Sequence, residues 1–481
     1  MSHIIPQDRP TFRVAHWYRC QGLVGRENFL AFQKRFEEVV TTIANTKDEE
    51  KFWKFVRSLF DFDDYADCVP INAANLSILF DPVLRLMNAL AFDWNRDISI
   101  QKRIQPFVRT IQVARELIAA QLNVEPELVA FQRNGSDPNA VINNGLTFNH
   151  GDQVVVWNEN HPTQGEVAWR IRKDRFPNIN IVVLDLQGEQ DPVKIMKKFL
   201  DAVNGHTRLV AFSEVSHLSG TRLPAKALCS AIHQKNPRVH VHVDGAQSWG
   251  AFKHDLKDMG CDSYSGGSHK WFLGPKETGI LYMRKECIPN FAPKDIGYNG
   301  EMQPPPTLPD DPLPWDASRF EMVGQRNDTN LIGLLYTADL MGLIGYDKIG
   351  TRMKKLTDHL RGNLERLRRE LKRQHGEEIF EIETPKADDL HHAILVIKFK
   401  DQAQPGSRQQ KKRRKTKKSE AASATPLSEQ VYNLLYENHK IGVSTKKGNR
   451  MRFSPHIYNT FEHMDRVTAA MLVEINNILD S

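Results

Sequence analysis

A carboxylate and an amine on neighbouring strand ends can share one piece of chemistry, and this chain offers such a pair. The stretch His240-Val-His-Val-Asp-Gly-Ala-Gln247 alternates as a short strand and ends in Asp244. Ser265-Gly-Gly-Ser-His-Lys-Trp271 follows, a small Gly/Ser-rich loop that carries Lys270 ahead of another strand pattern, Gly279-Ile-Leu-Tyr-Met283. A free lysine titrates near about 10.4 and is a poor nucleophile at neutral pH until burial or a nearby cation lowers that value. Lys270, between His269 and Trp271, is placed for such lowering. An amine of this kind condenses with an aldehyde, and a buried carboxylate keeps a pyridine nitrogen protonated so that the ring accepts electrons. Those are the two anchors that pyridoxal phosphate needs. By residue type alone, a solvated Asp and a solvated Lys are the commoner reading.

The elements around the pair give it a setting. Strand patterns at Gln153 to Trp157, Ile179 to Leu186, Leu209 to Ser213 and Val239 to Val243 alternate with helix patterns at Gly165 to Lys173, Pro192 to Val203 and Ala225 to His233. This alternation specifies a mostly parallel sheet. Ligands of such sheets sit beyond the carboxyl ends of the strands, which singles out Asn158-Glu-Asn-His161, Glu214-Val-Ser-His217 and Asp244-Gly-Ala-Gln247. Upstream, an amphipathic helix from Ile104 to Leu122 leads to a strand, Leu128 to Arg133, and then to Asn134-Gly-Ser-Asp-Pro138. Asp137 and Pro138 predict a helix start there, with backbone N–H groups around Gly135 and Ser136 directed at a phosphate.

Asp244-Gly-Ala-Gln247 and His269-Lys-Trp271 together resemble fold-type I pyridoxal-phosphate enzymes of the class V aminotransferase group, and the HKW…PK wording is most similar to its isopenicillin N epimerase branch. The resemblance implies an α/β fold: a mostly parallel central sheet, a smaller C-terminal α/β domain and, here, an extra N-terminal helical segment. It also implies roles. Lys270 would carry the cofactor and act as base, Asp244 would hold the ring nitrogen, and His161 would stack on the ring. Gln247 would meet the ring hydroxyl, His217 stands where relatives have Asn, and Ser268 and His269 join the cofactor contacts. Arg133-Asn-Gly-Ser-Asp137 is similar to the phosphate-binding RNTTE segment, with Gly135 in place of the first Thr. Arg319-Phe-Glu-Met-Val-Gly-Gln-Arg326 is similar to the RFE…GT turn that reaches a neighbouring subunit's phosphate, with Gln325 in place of Thr; this implies a homodimer with shared sites. Met451-Arg-Phe-Ser-Pro-His-Ile-Tyr-Asn-Thr460 matches R(I/L)SxHxYNT, which gives Arg452 the substrate carboxylate. Asn72 and Asn75, in a segment similar to LDNAA, are placed to touch substrate.

The 481 residues suffice for two or three domains. We expect an N-terminal helical extension over 1–64, a cofactor-binding domain over 65–335, and a small domain over 336–481 with a disordered basic insertion at 401–426. In the extension, Phe29, Phe32, Phe36 and Val39 recur at helical steps, which suits a layer packed on the core or on a partner subunit. No apolar run approaches the roughly 18 residues of a membrane span, and Met1 to Pro10 lacks a secretory core, so a cytoplasmic protein is expected. The net charge of +6 is local, because Lys411-Lys-Arg-Arg-Lys-Thr-Lys-Lys418 supplies seven positive charges and leaves the body near neutral. That run resembles a nuclear-localisation or polyanion-binding segment; a solvated loop is the plainer reading, and nucleic acid is not the expected partner. The five cysteines, Cys20, Cys68, Cys229, Cys261 and Cys287, lack metal-ligand spacing.

The sequence thus points to a pyridoxal-phosphate enzyme acting on an amino acid or related amine through Cα deprotonation, epimerase-like or lyase-like. Transamination is the alternative, and a non-catalytic or polyanion-binding use of the fold is the reading from another class. Desulfuration is disfavoured, because it needs a cysteine on a loop beyond the lysine and Cys287 comes too early.

Overall fold

The computed structural model describes residues 26–62, 67–96, 100–175, 178–186, 188–293, 316–321, 324, 326–400 and 425–480. Its centre is a seven-stranded sheet of β1 (Val129–Gln132), β2 (Gln153–Trp157), β3 (Asn180–Leu184), β4 (Thr207–Ser213), β5 (His240–Asp244), β6 (Ser263–Gly267) and β7 (Gly279–Met283). The strand order is β1-β7-β6-β5-β4-β2-β3. Only β7 runs against its neighbours. Runs such as Val154-Val-Val156 are apolar throughout because helices cover both faces of a parallel sheet.

Helices α1 (Arg26–Asn45), α2 (Glu49–Arg57), α3 (Asp81–Arg96) and α4 (Ile100–Leu122) precede the sheet, and α5 (Ser136–Gly145), α6 (Glu166–Arg175), α7 (Pro192–Ala202) and α8 (Ala225–Lys235) lie within it. Local chemistry sets several of the starts: Asp48 accepts from the Lys51 N–H, and Asp191, ahead of Pro192, accepts from the Val193 N–H. The N-terminal helices pack on the main core, where Phe36, Val39 and Ile43 are buried and the Phe32 ring lies 5.0 Å from that of Tyr336 on α9 (Asp328–Ile344).

Helix α10 (Tyr346–His375) leads to a four-stranded antiparallel sheet of β8 (Phe380–Ile382), β9 (Leu395–Phe399), β10 (Ser444–Lys446) and β11 (Arg450–Phe453), ordered β10-β11-β9-β8 and backed by α11 (Leu427–His439) and α12 (Phe461–Asp480). The changeover between the two hydrophobic cores falls inside α10: Met353 belongs to the first and Leu356 to the second. Val69 and Ile71 also belong to the second core, and Val69–Pro70 pairs in parallel with Ile441–Gly442. The segment then runs on as a strap: Ala73 N–H donates to the Ser454 carbonyl at 3.0 Å and Ser77 N–H to the His269 carbonyl at 2.9 Å. The basic run and Cys20 lie outside the described residues.

Candidate active site

Asp244 ends β5 and is 1% exposed. Its Oδ1 accepts from the Ala246 N–H at 2.9 Å and its Oδ2 from Asn139 Nδ2 at 3.1 Å. Asn139 sits one turn into α5, which the end of β1 launches beneath the site. All four of its amide valences are spent: besides Asp244, Nδ2 meets Thr163 Oγ1 at 3.1 Å, while Oδ1 lies 3.0 Å from His242 Nε2 and accepts from Ser265 Oγ at 2.9 Å. Burial holds the His242 ring down to about 4, so it is neutral and gives its one proton to Asn139. Thr163 lies with Oγ1 2.9 Å from His161 Nδ1 and its backbone N–H donates to the same Nδ1 at 3.4 Å, which makes Nδ1 the acceptor and leaves the His161 proton on Nε2. One buried amide therefore orients both the carboxylate and the histidine.

Lys270 follows β6 in a loop that faces Asp244. Burial, and then the charge of Arg452, pull its amine below the ordinary lysine value, while Asp244 holds it partly up. His161 is lowered by burial and by Lys270 and Lys446, against Asp244. His217 is pushed down to about 3 by burial and then by His161, Arg452, Lys446 and Lys270; its ring centroid is 5.5 Å from that of His161. Arg452, on β11, is 2% exposed and lowered to about 10 by burial; Nη1 donates to the His217 carbonyl at 3.1 Å, and Nε is buried without a partner. Asn72 Oδ1 is likewise buried without a partner, whereas Asn75 is exposed. Lys270, Asp244, His161, His217 and Arg452 thus lie within reach of one another's charge, together with Lys446, which sequence reasoning did not single out.

Two expectations change. Helix α5 starts at Ser136, not at Asp137 and Pro138, because Asn134 Oδ1 caps it, accepting from the Ser136 N–H at 2.8 Å and the Asp137 N–H at 3.2 Å; Asp137 instead pairs with Arg133. Those N–H groups are occupied, so the exposed Ser136 hydroxyl and the backbone around Gly135 remain for an anion. Ser268 does not line the pocket: it is fully buried, and Oγ donates into the turn to Pro275 O at 2.8 Å and Thr278 O at 3.0 Å. Gln247 also braces, with Nε2 donating to Ala74 O at 3.0 Å and Oε1 accepting from Trp271 Nε1 at 2.9 Å, and its second Nε2 proton is left over for a ring hydroxyl. Gln325 lies outside the described residues.

The arrangement fits pyridoxal phosphate on its own geometry. A Cβ on Gly135 would stand 3.4 Å from the Ala246 Cβ, and one on Gly267 would stand 3.0 Å from Gly135 N and 3.2 Å from the His269 ring, so side chains would fill the cradle that backbone now lines. Beside it are a lowered amine and a carboxylate already steadied by two donors. The sequence profile described as Aminotransferase class-V matches residues 73–394. The chain belongs to that family.

Class V aminotransferases work with pyridoxal phosphate, and this member is an enzyme of that kind acting on amino acids. It is 28% identical over 299 residues to a probable cysteine desulfurase of Methanothermobacter thermautotrophicus, across 61% of this chain and 72% of that one. It is 26% identical over 256 residues to the isopenicillin N epimerase of Streptomyces clavuligerus, across 52% of this chain and 63% of the other. Among solved structures, C-DES with glycine covalently linked to its pyridoxal-phosphate cofactor superposes with a TM-score of 0.72 at 19% identity, over 86% of this chain and 98% of that one, a likeness of fold. No helix among the described residues is long and apolar enough to cross a membrane.

Proposed function

We propose that this class V enzyme is a lyase: it removes the Cα proton of an amino acid and expels a substituent from Cβ, without a second keto substrate. The observation that supports the reading is that the buried Asp244 and Arg452 both act on the charge of Lys270, whose amine burial lowers. Pyridoxal phosphate, when bound, supplies an aldehyde for amines and a ring that takes up the electron pair left at Cα. Asp244, steadied by Asn139 and Ala246, keeps a proton on the ring nitrogen; His161, neutral and oriented through Thr163, covers the ring face; Ser136, Gly135 and His269 receive the phosphate. Arg452 grips the α-carboxylate and so fixes which Cα bond faces Lys270, the base that takes the proton. Asn72 Oδ1 is a further acceptor at the substrate.

Three of the four described cysteines disfavour desulfuration, Cys68 being the one that is not buried. Cys229, Cys261 and Cys287 are buried with thiols pushed up, Cys287 to about 12 by burial and Asp262, so none of them is a ready sulfur acceptor. The test is a panel of amino acids incubated with the enzyme in deuterated water. Release of a keto acid and the β-fragment over many turnovers is expected. Cα deuteration with racemisation would mean an epimerase, and keto-acid formation that halts until another keto acid is added would mean a transaminase. Borohydride reduction should fix the cofactor on Lys270, and Lys270→Ala should abolish the label.

A further inference from the structure

We propose that the substrate carries a second anionic group in its side chain, a carboxylate in the simplest case, received by Lys446 while Arg452 takes the α-carboxylate. The inference rests on the pocket being the substrate site and deepens that reading. The β10–β11 register sets Ser444 opposite Arg452 and Lys446 opposite Arg450. Residues two apart and residues directly opposite share a face, so Lys446, Arg450 and Arg452 all point the same way. Arg450 is neutralised there, its Nη2 donating to Glu383 Oε1 at 2.8 Å. Lys446 and Arg452 make no ion pair among the described residues, and the buried Arg452 Nε has no hydrogen-bond partner at all. Glu159, on the loop that carries His161, spends its Oε2 on the Ser216 and Ser219 hydroxyls.

Two unneutralised cations at a half-buried strand pair are costly unless anions meet them. Burial and then the charges of Arg452 and Lys270 hold Lys446 down to about 8, so the ammonium lies within their reach and is still protonated at neutral pH. One α-carboxylate satisfies Arg452 and leaves Lys446 over. Diagonal neighbours across two antiparallel strands lie about 7–8 Å apart, a span that suits a second anion a few bonds beyond Cα.

The experiment is calorimetric binding to the holoenzyme of two dicarboxylates, glutarate and adipate, against the monocarboxylates butyrate and valerate. Lys446→Met should weaken the dicarboxylates at least tenfold and leave the monocarboxylates within twofold, and Lys446→Arg should restore the dicarboxylates. Equal effects on both ligand classes, or none on either, would overturn the proposal. Because no turnover is needed, the amino-acid panel separates the two ideas: racemisation or transamination with the dicarboxylate preference intact removes the lyase reading and leaves this one supported.

Discussion

Gln247→Ala separates a brace from a cofactor contact. In the structure the amide links the Ala74 carbonyl to the Trp271 indole, with Gln247 7% exposed and Trp271 fully buried. Truncation leaves a buried acceptor and a buried donor unpaired, each costing about 1–3 kcal/mol, or about 2–6 kcal/mol together. Trp271→Phe orphans only the amide oxygen and should cost about 1–3 kcal/mol beyond its packing loss. The double variant Gln247→Ala, Trp271→Phe leaves only the Ala74 carbonyl unpaired, so its cost should fall short of the summed single costs by about 2–6 kcal/mol. Denaturant unfolding should be followed with and without pyridoxal phosphate. A brace destabilises both forms, whereas a contact confined to the cofactor's hydroxyl matters only in the loaded one. Additive single costs, or an unloaded Gln247→Ala protein within about 0.5 kcal/mol of its parent, would refute the bracing role.

Two further outcomes follow from buried groups near the site. Burial alone would raise the Glu214 carboxyl, but the charge of His254 and hydrogen bonds from His254 and Ser248 outweigh it and hold it below its ordinary 4.5. Its stabilising contribution is therefore full above about 4.5 and lost as pH falls through the lower folded value. Glu214→Gln should cost about 3–5 kcal/mol at pH 7 and flatten the stability profile below 4.5; an unchanged acid limb in a pH series of unfolding curves would contradict this. In Gly245→Ala the new Cβ would fall 2.0 Å from Cζ and the hydroxyl oxygen of Tyr264, whose ring is fully buried and whose hydroxyl lies 3.0 Å from Ser248 Oγ and 3.2 Å from His254 Nε2. The ring cannot withdraw, so Asp244 must shift. Cα-deuterium exchange should fall about a hundredfold while borohydride still labels Lys270; exchange within tenfold of the parent would show that the strand end tolerates the displacement.

The mostly parallel sheet was legible in the strand-helix alternation, and part of the candidate site with it. Asp244 and Lys270 stood out through their places at strand ends and the motifs around them rather than by residue type alone, and Arg452 through the resemblance of its segment to the family's. Direction was not legible. Gln247 lies three residues past Asp244 in either role, and nothing in its spacing says that its amide turns to Ala74 and Trp271. Asn134 reaches forward to the Ser136 and Asp137 N–H groups, so the helix begins before the turn that an Asp137 cap would have opened. Asn139 is one neutral amide inside a helix, and its four partners come from α5's neighbours in space. Lys446 emerges only once strand register is known, since a slip of one residue would put it on the other face.

The strap from Val69 to Ser77 also sets when this protein becomes active. Its partner Ser454 lies 383 residues beyond Ile71, so the strap closes only after β11 exists. The entropy of closing so long a loop grows only with the logarithm of its length, so the delay costs little stability; it costs time. A nascent chain can complete β1 to β7, with Asp244 and Lys270 already side by side, and still lack Arg452, the Ser454 contacts and the anchored end of the strap that Gln247 grips. Catalytic competence is then the last property to appear during synthesis, and a chain truncated before Arg452 would present the cofactor's lysine without the means to hold an amino acid against it.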